Sequence, residues 1–133
     1  MAPQTGAAFA DTSARSATID YRLRRRRLLN DIRAGVVSAT DACDAHPELL
    51  RVARNAAAPL DEPCPICDDG ELRMVGYVFG PRLGGGGKCV VSDAELARLA
   101  QRRGSFQTYE MEVCPDCGWN HLLRRYRIGA DAD

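Results

Sequence analysis

Two cysteine pairs, Cys64-Pro65-Ile66-Cys67 and Cys114-Pro115-Asp116-Cys117-Gly118-Trp119, carry the clearest chemistry in this chain. A Cys-x-x-Cys turn aims two thiolates at one ion about 2.3 Å away, and two such turns complete the tetrahedral set that Zn²⁺ accepts. Proline after the first Cys of each pair fixes φ, and Gly118 permits the positive φ at which such a turn closes. Cys64, Cys67, Cys114 and Cys117 are therefore expected to hold structural Zn²⁺. Four thiolates close the site, so it has no open position for substrate water. A pair of redox dithiols is the competing chemistry, but the Trp-Cys-x-x-Cys motif opening a helix in a βαβ unit is missing.

Cys43 and Cys89 are left over and read as small buried hydrophobes. His46 is expected to cap or precede a helix. His121 is expected to pack or hydrogen-bond rather than replace a thiolate. The run Gly84-Gly85-Gly86-Gly87-Lys88 fails as a phosphate loop, because Arg82 holds the first glycine's place and Cys89 replaces the Mg²⁺-binding hydroxyl. No nucleophile, base and orienting group are arranged in any recognisable signature, so a non-enzymatic protein is expected.

Arginine is the other concentrated chemistry. Arg22, Arg24, Arg25, Arg26 and Arg27 crowd one segment, and Arg124, Arg125 and Arg127 another. Guanidinium forks match phosphate and carboxylate oxygens in pairs, so both clusters are candidate partner-binding surfaces. On a strand, Arg125 and Arg127 share one face while Arg124 and Tyr126 share the other.

The elements that position these residues follow from periodicity. Residues 1–17 are small and polar without a period and read as a disordered leader. From Ile19 to Arg33, Tyr21, Leu28, Leu29, Ile32 and Val36 describe one helical face that Gly35 ends. Ser38 to Cys43 reads as a short second turn. His46-Pro47-Glu48 reads as a helix start, with Leu49, Leu50, Val52 and Ala53 on its buried side. Ala56 to Pro63 reads as a linker. Glu71 to Phe79 alternates as a strand, Gly80 to Lys88 is a loop tip, and Ser92-Asp93-Ala94-Glu95 is a capping box opening a helix that Gly104 closes. Phe106 to Val113 and Trp119 to Ile128 read as a hairpin whose turn is the second cysteine pair.

Size and composition bound the rest. The chain has 133 residues, 45% of them hydrophobic, and a formal net charge of zero, with Lys88 the one lysine among 18 basic residues. It has no apolar run of about 18 residues and no secretory signal, so no membrane association is expected. Six cysteines without an export signal point to a reducing compartment, the cytoplasm.

The segments Arg25 to Leu29, Asp41 to Leu50, Cys64 to Cys67, Tyr77 to Gly80 and Val113 to Leu122 together resemble an uncharacterised family of small actinobacterial proteins with a zinc-ribbon-like half. The resemblance spans Tyr21 to Gly129 and implies a cytoplasmic protein, with no activity attached. It also leaves open a Cys43-x-x-His46 contribution to metal or partner contact.

The resulting expectation is an α+β protein with a helical segment at 18–58, a zinc-ribbon-like antiparallel sheet with one inserted helix at 59–129, and a tail at 130–133. Its expected role is a binding or regulatory module contacting nucleic acid or a nucleic-acid machine such as the ribosome or RNA polymerase. The alternatives are a protein-interaction adaptor and a thiol redox protein; no small-molecule substrate is indicated.

Overall fold

The computed structural model describes residues 18–132, so the expected leader lies outside the described residues. In chain order the elements are β1 (Ile19–Asp20), α1 (Arg22–Arg33), α2 (Ala39–Ala42), α3 (Pro47–Asn55), β2 (Pro59–Pro63), β3 (Glu71–Phe79), β4 (Lys88–Val90), α4 (Asp93–Ala100), β5 (Phe106–Val113) and β6 (Asn120–Ile128). This is an α+β protein built on one antiparallel sheet in the order β1-β6-β5-β3-β2, with β4 also paired to β3.

Four local expectations are corrected. Ile19 and Asp20 form a strand rather than the first helical turn: the Tyr21 amide donates to the Leu123 carbonyl, and the Asp20 carboxylate caps the Arg22 amide at 2.8 Å. The expected 56–63 linker contains β2, which pairs with the first part of β3. Pro59 and Pro63 are tolerated there because an edge strand leaves some donors unneeded. Lys88 ends no loop but opens β4, which pairs with Gly76–Val78 along the same edge of β3. Val36, expected on the buried stripe of the first helix, lies beyond its end and is exposed.

The caps form as the residue types demand. His46 Nδ1 accepts the Glu48 amide at the start of α3, and the Ser92 hydroxyl accepts the Glu95 amide at the start of α4. Glu95 reaches back past the cap to the Val91 amide, one residue before the position a capping box would use.

Residues directly opposite in the ladder share a face of the sheet. On one face Met74, Val78, Phe106, Tyr126 and Ile128 are covered by Leu96, Leu99 and Ala100 of α4. At its other end Leu72 packs with Leu29 of α1, Trp119 and two of the site's cysteines. The opposite face is covered in part by Leu49 and Ala53 of α3, against Val75 and Val113. Residues 130 and 131 are fastened too: the Ala130 amide donates to the Arg102 carbonyl, and the Gly104 amide donates to the Asp131 carboxylate.

Two carboxylates sit deep inside the first face. Glu110 is fully buried, taking the Arg124 guanidinium on Oε1 and the Tyr126 hydroxyl on Oε2. Glu112, also buried, receives Arg25 Nε at 2.6 Å and Trp119 Nε1 at 2.7 Å. Removing one partner of a buried ion pair strands the other charge, which costs about 3–5 kcal/mol. Arg124→Ala is therefore expected to lower unfolding free energy by about 3 kcal/mol in a denaturant titration, whereas exposed Arg27→Ala should stay within about 0.5 kcal/mol. Equal effects would contradict this assignment.

Candidate metal centre

Both cysteine pairs are the turns of hairpins, β2–β3 for Cys64 and Cys67 and β5–β6 for Cys114 and Cys117. The pairing of Arg73 with Val113 places the start of β3 beside the end of β5, so both turns project from the same end of the sheet. Sheet register thereby brings together two motifs that are far apart in sequence.

The four sulfurs lie within 4.8 Å of one another. Cys64 Sγ is 3.5 Å from Cys117 Sγ, and Cys67 Sγ is 3.8 Å from Cys114 Sγ. Thiolates about 2.3 Å from a tetrahedral ion stand about 3.8 Å apart, close to both of these separations, so the set could hold a single metal ion. All six cysteines are free thiols, so no disulfide competes for these sulfurs.

Backbone amides support the sulfurs. Ile66 N–H donates to Cys64 Sγ, Gly70 N–H to Cys67 Sγ, and Cys117 N–H to Cys114 Sγ, at 3.4, 3.3 and 3.5 Å. The amide of Cys64 donates to the Gly70 carbonyl and that of Cys114 to the Trp119 carbonyl, closing each turn. Gly118 adopts φ +89°, the left-handed turn conformation anticipated for it. Gly70 has a different reason to be glycine: a Cβ there would lie 2.3 Å from Cys114 Sγ. That requirement is invisible in the motif itself.

The electrostatics describe a site that needs a cation. Burial pushes the Cys64 thiol up to about 11. Burial also raises Cys117, and hydrogen bonds with Cys64 and Cys43 act in the same direction. Cys67 is held below its ordinary value despite burial, because the amides of Gly70 and Asp69 and the thiols of Cys114 and Cys64 stabilise its thiolate. Cys64, protonated at neutral pH without a metal, must release its proton on binding.

Residues 12–133 match a family of unknown function, DUF5318. The chain belongs to that family. Among relatives of this DUF5318 chain are uncharacterized proteins of Mycobacterium tuberculosis (Rv0049) and Mycobacterium bovis (Mb0050), each 41% identical over 112 residues, 84% of this chain and 82% of theirs. These agree with the resemblance to an uncharacterised actinobacterial family. No solved structure matches.

The remaining predicted site residues separate into groups. Arg25 and Arg124 are committed to the buried carboxylates of Glu112 and Glu110. Exposed Arg22 clasps Asp20, and the Arg24 guanidinium stands 5.4 Å over the Tyr21 ring. Arg26, Arg27 and Arg127 are exposed, and half-buried Arg125 keeps Nε without a hydrogen-bond partner. As read from the ladder, Arg125 and Arg127 share one face and Arg124 and Tyr126 the other. His121 is not among the four clustered ligands; its ring stacks on Trp119 and its Nδ1 donates to the Leu122 carbonyl at 2.7 Å. Burial lowers its pKa, favouring the neutral ring. Cys43, by contrast, comes 3.6 Å from Cys117 Sγ, a proximity that only its motif with His46 hinted at.

Gly70→Ala is expected to abolish stoichiometric metal uptake in a competition titration, whereas Gly85→Ala, with nothing within 4 Å of its added methyl, should not. Metal affinity should also rise with pH, and so weaken on acidification, by about tenfold per pH unit for each thiol that must lose a proton. A pH-independent affinity would contradict the four-thiolate site.

Proposed function

We propose that this protein is a non-catalytic, cytoplasmic zinc-binding module that contacts single-stranded nucleic acid, free or within a machine such as the ribosome or RNA polymerase. Zinc is the metal favoured by four thiolates in tetrahedral spacing, since that ion has no geometric preference to oppose the set. Six free thiols accord with a reducing compartment.

The observation that carries the reading is the half of the sheet that α3 leaves uncovered. One cross-strand row there runs Arg125, Tyr109, Tyr77, Cys89, and the next runs Arg127, Gln107, Phe79. Phe79 is 38% exposed and meets Tyr109 edge to face at 5.7 Å. Tyr77, Phe79, Tyr109, Met111 and Leu122 line a shallow depression of about 510 Å³. Neither row contains a carboxylate; the acids of β5, Glu110 and Glu112, point to the opposite face. Aromatic rings on a sheet offer stacking surfaces to unpaired bases, and arginines beside them meet phosphates.

A second basic surface supports the same partner class. Arg26 and Arg33 of α1 line a cleft of about 650 Å³ in which Arg22 and Arg25 are already paired with Asp20 and Glu112, leaving Arg26 and Arg33 to face a partner. Zero net charge supplies little long-range attraction, so local contacts must provide the affinity.

Binding of a short fluorescent single-stranded RNA, followed by anisotropy across a salt series, tests the reading. Affinity should fall steeply with salt; Arg127→Ala should reduce the salt slope by about one, and Tyr109→Ala should weaken binding about tenfold. No binding at low salt, or binding indifferent to both substitutions, would refute it.

A further inference from the structure

The four-sulfur site has a fifth sulfur beside it. Cys43 Sγ lies 3.6 Å from Cys117 Sγ, about as near as the ligand sulfurs lie to one another. It does not belong to the set of four that can hold one ion. A tetrahedral ion satisfied by four thiolates leaves no coordination position for it.

The placement of Cys43 is built, not incidental. It caps the C-terminus of α2, its amide bonded to the Ala39 carbonyl. The next residues are clipped to the second knuckle: the Ala45 amide donates to the Gly118 carbonyl, and the Asn120 side chain donates to Asp44 Oδ1 at 3.1 Å. The Cys43 carbonyl lies so close to Gly118 that a Cβ there would approach it to 2.9 Å. Half-buried Cys43 remains reachable by a small solute. Cys89, equally half-buried, packs instead against the α3 core.

We infer that Cys43 is a peroxide-oxidisable thiol that withdraws Cys117 from the metal site by forming a disulfide with it. This rests on the metal reading. In the first step Cys43 sulfur attacks hydrogen peroxide, the O–O bond breaks, and Cys43 sulfenic acid and water form. In the second, Cys117 sulfur attacks the sulfenic sulfur; the S–O bond breaks, the S–S bond forms, and the departing hydroxide takes a proton to leave as water. Two thiols are oxidised, one peroxide is reduced to two waters, and the two sulfurs close from contact distance to about 2.05 Å. The site keeps three thiolates and loses its hold on the ion. Thiolates engaged by the metal are less available to oxidant, so the uncoordinated neighbour reacts first.

The test uses full-length, reduced, zinc-loaded protein together with Cys43→Ser and Cys43→Ala. Zinc content is measured before oxidant, then release after hydrogen peroxide is followed with a colorimetric chelator, and disulfides are mapped by peptide mass spectrometry. All three proteins should start with equal zinc. The unmodified protein should release it with a Cys43–Cys117 disulfide, and both variants should release it about tenfold more slowly. Equal release rates, or a disulfide confined to the four ligands, would overturn the role of Cys43 while leaving the metal site standing. Absence of zinc from all three reduced proteins would overturn the metal reading and this inference with it.

Discussion

The structure depends on four sulfurs meeting at the tips of two hairpins. Each tip is a turn whose amides point at sulfur, and the β3–β5 register holds the tips side by side. Cys64 and Cys114 are fully buried, and without a cation burial disfavours the thiolate of Cys64. A bound ion reverses that cost. Its apparent contribution, on the order of 10 kcal/mol, is comparable with the whole net stability of a domain this size. The proposed zinc is thus the joint on which the sheet closes.

That joint is coupled to the rest of the chain through Trp119, which follows the second knuckle. Its indole donates to Glu112, which also holds Arg25 of α1. Leu29, one turn further along α1, packs with Leu72, Cys64 and Cys114. Helix, sheet and metal site therefore share one polar and one apolar contact network. Placing Glu110 and Glu112 on the covered face has a second consequence: β5 presents Gln107, Tyr109 and Met111, and no carboxylate, on the open face.

Much of this was legible in sequence because it is local. The bounds of β3 and β5, the caps at His46 and Ser92 and the positive φ of Gly118 all follow from side chains within a few positions. The four ligands were legible because Cys-x-x-Cys spacing fixes each half-site. What escaped depends on contacts between distant segments. Nothing within Phe106–Val113 signals that Glu110 and Glu112 are buried by pairing with Arg124 and Arg25, which also removes those arginines from any partner surface. β1 and β2 were hidden because two residues, or a segment opening and closing on proline, carry no period; only their partners β6 and β3 define them. The need for glycine at position 70 arises only because Cys114 packs against it from a distant hairpin.

Elemental analysis of protein purified under reducing conditions, paired with titration of its accessible thiols before and after a strong chelator, tests the central claim most directly. The account predicts one zinc per chain, four cysteines shielded from thiol reagent, and loss of both the ion and the shielding on chelation. A folded, cooperatively melting protein that contains no metal and whose four cysteines react freely would contradict it.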